Sequence, residues 1–297
     1  MQNPTREEMI RMAEETKKKN KQPEVTAEMM AEFPVKMEEW TIPSEEGDIK
    51  AYYSEPEQMK NPDVLILNLH GGGFIRGRTE NDELFCRRMN HALSCKILDV
   101  DYKIAPYFPF PIALHETSGV LRWVYANTEK LGIDPEKLVI MGHSAGGNLA
   151  VGAVMRALEE DMRTPALLIS EYPPLDIYTD PEAKKSMGKG IPVERARLYN
   201  LFYCDREQQK DPYCSPVYAP DEMLRGFPPS LIITAGSDDL CNEAEDFALR
   251  LARCGNEVTV KRFPDAIHAF TIKRLAGHEE ACNLVCRFIR GGIKMNP

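Results

Sequence analysis

The chain has 297 residues, 43% of them apolar, and a formal net charge of −9. That length fits one large α/β domain or two smaller ones. The acidic balance argues against nucleic acid and against anionic membrane surfaces as partners.

Residues 5–20 read as a charged amphipathic helix, with no apolar run of the kind a secretory leader needs. A second short helix is expected over 26–32. Strands are expected over 35–43 and 49–55, around the turn SEEGD. DVLILNLH (63–70) is an apolar run without polar alternation, the pattern of a strand covered on both faces. The same pattern recurs in KILDVDY (96–102), LVIMGH (138–143), ALLISEY (166–172) and LIITAG (231–236). Helical segments fall near 80–93, 113–130 and 145–160. EVTVKRF (257–263) reads as a last strand and 277–290 as a last helix. Strands alternating with helices predict an α/β fold with a mostly parallel sheet covered on both faces. The polar segment 177–210 breaks this rhythm and has no strand, so it reads as an inserted cap on a single folding domain, 1–297. No apolar stretch approaches the roughly 20 residues that cross a bilayer, so the cytoplasm is the expected compartment and no membrane partner is expected.

The eight cysteines (Cys86, Cys95, Cys204, Cys214, Cys241, Cys254, Cys282 and Cys286) include no CxxC pair. They read as free thiols. Cys282 and Cys286 lie four apart on an expected helix, too few ligands for a zinc site. No metal and no organic cofactor is expected.

MGHSAGGNLA (141–150) puts a serine between small residues, after a buried strand and before a helix. Gly142-His143-Ser144-Ala145-Gly146 is the G-x-S-x-G pattern of a nucleophile elbow. Gly142 and Gly146 permit the close backbone approach of so sharp a turn, and the helix N-terminus offers free N–H groups to a developing anion. A hydroxyl needs a base and an orienting acid, here in the order Ser, Asp or Glu, His. His70, His91 and His115 precede Ser144, and His143 is too close in sequence to act on it. His268, in FPDAIHAF after the last strand, is the expected base; His278 starts a helix and is expected on a solvated surface. LIITAGSDDL ends in Asp238 and Asp239, one a candidate acid and the other a candidate helix cap. Spacing alone leaves that choice open. LHGGGFIRG (69–77) matches the HGGG loop that supplies oxyanion donors in lipases and esterases.

Taken together, HGGGF (70–74), DYKIAPYFPFPIAL (101–114), GHSAGGNLA (142–150), DPYCSP (211–216), AGSDDL (235–240) and HAF (268–270) resemble the hormone-sensitive-lipase-like branch of the α/β hydrolases. That branch includes bacterial carboxylesterases and acetyl esterases. The motifs run in family order from about residue 45 to 290. The resemblance implies the α/β-hydrolase fold and makes Asp238, followed by Leu240, the acid. It implies oxyanion donors at Gly72, Gly73 and Ala145, with His70 and Gly71 as motif residues. It implies a cap formed by about 1–40 and 177–215. A homodimer through the last strand or helix is implied by the resemblance alone. Four positions depart from the pattern or stand beside it. Tyr107 replaces a glutamate, which alters a structural hydrogen bond. His143 replaces the commoner Asp or Thr. Arg76 and Arg78 flank the glycine loop, by default solvated or paired, the alternative being a bias towards an anionic or polar acyl group.

The expected activity is therefore a serine carboxylesterase acting on short- to medium-chain esters of small molecules, acetyl esters among them. Two alternatives use the same residues. One is an amidase of formamidase type with the same triad. The other is a ligand-binding protein on a hydrolase scaffold, which the intact Ser144, Asp238 and His268 disfavour.

Overall fold

A computed structural model describes residues 4–296 of the chain. Its frame is an eight-stranded sheet of order β1-β2-β4-β3-β5-β6-β7-β8. The strands are β1 (Val35–Ile42), β2 (Ile49–Pro56), β3 (Asn61–Leu69), β4 (Cys95–Asp101), β5 (Leu138–His143), β6 (Leu167–Glu171), β7 (Ser230–Ala235) and β8 (Val258–Phe263). β1 and β2 pair antiparallel, β2 is antiparallel to β4, and all later pairs are parallel.

The central strands are mostly apolar because both of their faces are covered. On β3, Leu65, Leu67 and Leu69 enter one core cluster while Val64 and Ile66 enter the other. On β5, Leu138 and Ile140 likewise face away from Val139 and Met141. The alternation buries both faces, and the polar residues that remain, such as Asn68 and Asp99, bond to one another or to neighbouring side chains. The first cluster is closed by α4 (Ile112–Ala126), α6 (Ala145–Glu159) and α8 (Cys241–Arg253). The second is closed by α3 (Glu80–Leu93) and α9 (His278–Gly292). On α6, Gly152 meets Leu114 so closely that a Cβ would lie 2.8 Å from Leu114 Cδ1. Small residues there let the helix settle onto α4 and the sheet.

The helix expected over 113–130 is divided. α4 stops at Ala126 and α5 (Thr128–Leu131) follows. Between them Asn127 leaves helical backbone, and its amide donates to the Trp123 carbonyl at 2.8 Å. A side chain that competes for a backbone acceptor in this way favours helix termination.

Outside the sheet, α1 (Arg6–Lys19) and α2 (Ala27–Ala31) precede β1, and α7 (Val193–Tyr203) lies in the strandless insertion between β6 and β7. Thr5 and Glu8 form a capping box at the start of α1. α1 packs on α7 through a small separate core of Ala13, Ile75, Ala105 and Phe202. Arg76 fastens it further, donating to the carbonyls of Lys17 (2.7 Å) and Asn20 (2.8 Å). Tyr107, the residue in place of the family's glutamate, contributes as well. Its carbonyl accepts from Arg6 at 2.9 Å, and its hydroxyl donates to Glu14 at 3.4 Å. Among the described residues no helix is long and apolar enough to cross a membrane.

Candidate active site

Every piece of the site hangs from the carboxyl edge of a parallel strand, where open α/β sheets place their ligands. β5 delivers Ser144, β3 the glycine loop, β7 Asp238 and β8 His268. Ser144 has φ 52° and ψ −119°. This region is disfavoured for a residue with a Cβ and costs of order 1–3 kcal/mol. The neighbours hold it there. The Ser144 N–H donates to the Glu171 carbonyl at 2.8 Å, and its carbonyl accepts from Asn148 as α6 begins. A Cβ at Gly142 would overlap the Gly146 carbonyl, and one at Gly146 would overlap the carbonyls of Leu69 and His70. Strand and helix therefore touch backbone to backbone on both sides of the serine.

Ser144 Oγ lies 2.8 Å from His268 Nε2, and His268 Nδ1 lies 2.5 Å from Asp238 Oδ2. The carboxylate is buried while the imidazole keeps partial access to solvent. The edge-on ring of Tyr172, its centroid 5.2 Å from that of His268, flanks the imidazole. The Tyr172 hydroxyl is fixed to Thr271, which donates to Glu171 at 2.6 Å. No sequence signal marked Tyr172 or Thr271.

Asp239 does not cap α8. The helix is preceded by Leu240 with no side-chain cap, and Asp239 instead accepts the Met187 N–H at 2.6 Å. It holds the inserted segment down on the sheet, since Gly190 packs against its carboxylate. His278 begins α9 as expected, but it is half-buried and its Nδ1 sits 2.9 Å from the Leu275 carbonyl. His143 points beneath the elbow, with Nε2 3.2 Å from Asn68 Oδ1 and Nδ1 3.4 Å from Glu171.

The glycine loop is set by His70. Its Nδ1 lies 2.7 Å from the Gly71 carbonyl, its own carbonyl accepts from the Tyr102 hydroxyl at 2.7 Å, and its ring stacks on that of Tyr102. Burial opposes a charge on His70, but Asp101, Asp82 and Asp99 outweigh it and raise its pKa. Gly72 and Gly73 both take positive φ, 130° and 61°. The Gly72 carbonyl accepts from Ile75 and Arg76, closing a tight turn. Gly73 lies against the ring of Tyr199, where a Cβ would come within 2.8 Å. Among the described residues the N–H groups of Gly72, Gly73 and Ala145 donate to no protein acceptor. Those of Gly72 and Gly73 belong to a loop that lines the cleft with Ser144.

Ser144 stands where two cavities meet. The larger, about 890 Å³, runs past His268 beneath Tyr199 and Ile272. The smaller, about 580 Å³, passes Phe74, Ile177 and Leu240. Arg76 lines the larger one. Arg78 does not: it is buried, its Nε 2.5 Å from Asp99 and its guanidinium stacked on Tyr52. Among the described residues no group of three or more His, Cys, Asp or Glu is placed to hold a metal ion.

A serine on a strained strand–helix elbow, in line with an imidazole and a buried carboxylate, defines an enzyme of the α/β-hydrolase class. Comparison with known proteins places it further. Residues 66–272 match the family described as alpha/beta hydrolase fold. An arylesterase from Saccharolobus solfataricus is 28% identical over 249 residues, 80% of this chain and 76% of the relative. An ethyl acetate hydrolase from Pseudomonas putida is 27% identical over 211 residues, 70% of this chain and 66% of the relative. A hyperthermophilic esterase from the archaeon Pyrobaculum calidifontis superposes with a TM-score of 0.81 at 27% identity, over 96% of this chain and 92% of that one. The chain belongs to the α/β-hydrolase family, in its hormone-sensitive-lipase-like branch of ester hydrolases. Its matches span between 62% and 76% of the lengths of the first curated relatives.

Proposed function

We propose that the chain is a serine carboxylesterase acting on small-molecule esters with short to medium acyl chains. The observation that carries this reading is the line from Ser144 Oγ through both nitrogens of His268 to Asp238, at 2.8 and 2.5 Å. His268 Nε2 takes the hydroxyl proton as Oγ attacks the ester carbonyl. Asp238 accepts the Nδ1–H, fixes the tautomer and stabilises the imidazolium that forms. The N–H groups of Gly72, Gly73 and Ala145 receive the oxyanion, each worth about 10²–10³ in rate in comparable sites. The imidazolium protonates the departing alcohol, leaving Ser144 acylated. Water, deprotonated by His268, then releases the acid and restores the serine. Gly142 and Gly146, one at each end of the elbow, serve its close-packed geometry.

α1 and the segment 177–215 together cap the site. The Pseudomonas relative named for ethyl acetate supports a short acyl chain. Eight unpaired cysteines, most of them buried, suit a reducing compartment such as the cytoplasm. A homodimer through the free edge of β8, which exposes Val260, is the assembly the family resemblance supports. The test is the initial rate on p-nitrophenyl esters from acetate to dodecanoate, with Ser144→Ala alongside. Fast turnover of the short esters, lost in the variant, is the expected result. Rates equal to those of the variant at every length would overturn the reading.

A further inference from the structure

The larger cavity beside Ser144 is lined by four cationic side chains, Arg76, Lys189, Arg195 and Lys273. They come from separate parts of the chain: the glycine loop, the inserted segment, α7 and the loop after β8. Among the described residues, Lys189, Arg195 and Lys273 pair with no carboxylate, although the chain has 46 acidic residues and a net charge of −9. The one acidic side chain in the lining, Asp82, already accepts the N–H and hydroxyl of Thr79 at 2.9 and 2.6 Å. Arg195 Nε is buried without a hydrogen-bond partner. Arg76 Nη2 donates to the Lys17 and Asn20 carbonyls, which leaves its charge in the cavity wall.

Lys189 is exposed, but Arg76, Arg195 and Lys273 are half-buried. Like charges partly withdrawn from bulk water are unfavourable, and an unpaired buried donor adds to that. Burial, then Arg195 and Arg76, push the Lys273 ammonium towards its neutral form. A neutral alkyl group would relieve none of this. An anion would relieve all of it, with the free Arg195 donor and the Lys273 ammonium as its partners. The smaller cavity differs. Its one lysine, Lys184, is neutralised by Glu243, and Phe74, Ile177 and Leu240 suit an uncharged arm.

We propose that this enzyme selects esters in which one arm is neutral and the other ends in an anionic group, a carboxylate or a phosphate, held by Arg195 and Lys273. The inference rests on the esterase reading for turnover, but the binding site stands on its own.

The experiment compares matched ester pairs on the wild-type chain. p-Nitrophenyl valerate against mono-p-nitrophenyl glutarate tests the acyl arm. Phenyl acetate against p-acetoxybenzoate and p-acetoxyphenyl phosphate tests the alcohol arm and separates carboxylate from phosphate. At least one charged member should exceed its neutral match in kcat/KM by about ten-fold or more, through a lower KM. Arg195→Gln with Lys273→Met should collapse that ratio about ten-fold, and Arg195→Lys should recover part of it. About 0.5 M NaCl, which shortens the screening length to about 4 Å, should lower the ratio in the wild type as well. A ratio at or below one for every pair would overturn the proposal, as would a ratio the double variant leaves alone. Calorimetric titration of Ser144→Ala with the glutarate monoester and with the valerate separates this from the esterase reading. Tighter binding of the charged ester without wild-type turnover would sink the esterase and keep the anion site. Equal binding of the two would remove the anion site.

Discussion

Ser144→Gly, like Ser144→Ala, should abolish hydrolysis, and it should be the more stable of the two variants. Ser144 sits at φ 52° and ψ −119°, a conformation that its Cβ disfavours and glycine adopts freely. Strain of this kind costs about 1–3 kcal/mol. Glycine gives back about 0.5–1 kcal/mol through the greater freedom of the unfolded chain. The net gain therefore lies between about 0 and 2.5 kcal/mol, with a middle value near 1 kcal/mol. Comparison with the wild type would mix in loss of the 2.8 Å bond to His268, so the reference is Ser144→Ala. That variant loses the same hydroxyl but keeps the Cβ. At about 2–4 °C per kcal/mol, the range for chains of about 150–250 residues, a gain near 1 kcal/mol should make the glycine variant melt about 2–4 °C above the alanine variant. Urea unfolding of both, with equal slopes, gives the difference directly. A glycine variant no more stable than the alanine variant would refute the claim that the elbow stores strain at this residue.

Two further outcomes follow from the site. Asp238→Asn leaves the His268 Nδ1–H without its anionic acceptor and should lower kcat on p-nitrophenyl acetate about 10⁴-fold, the loss seen for the equivalent change in a serine protease; a loss below ten-fold would remove Asp238 from the mechanism. The His70–Asp101 pair, 3.6 Å apart, should give the glycine loop a stability plateau between two limits. Asp101, whose burial is outweighed by His70 and the Arg78 N–H, has its pKa lowered, so its contribution is lost as pH falls through that lowered value. His70 has its pKa raised, so its contribution is complete below its usual value of about 6.5 and lost as pH climbs through the raised one. Unfolding free energies of Asp101→Asn from about pH 5 to 9 should fall less steeply on the alkaline side than those of the wild type. Parallel curves would show that the pair carries no such linkage.

The sheet was legible because buried parallel strands leave a simple trace: unbroken apolar runs with helices between them. Ser144, His268 and the glycine loop were legible for a related reason, since a sharp turn and a crowded backbone restrict residue choice locally. Asp238 and Asp239 were not separable from spacing. The difference lies in what each meets across space, His268 for one and the Met187 N–H for the other. The cations of the larger cavity were mostly invisible for the same reason. Arg195 and Lys273 lie 78 positions apart, and neither has a local partner or motif to mark it. Arg76 and Arg78 looked alike in sequence, but Asp99, Glu83 and the Tyr52 ring draw Arg78 away. The break at Asn127 shows the converse limit, where one side chain overrode a helical pattern.

The clasp between α1 and the rest of the chain also sets an order of assembly. α1 is synthesised before every strand, yet Arg76 lies 59 positions beyond Lys17, Tyr107 lies 101 beyond Arg6, and Tyr199 lies 179 beyond Asn20. Arg76 and Tyr107 are therefore available once about a third of these residues has left the ribosome, but Tyr199, the last anchor, only after about two thirds. A helix that precedes every described strand thus gains its last fastening only when the central strands of the sheet have already emerged.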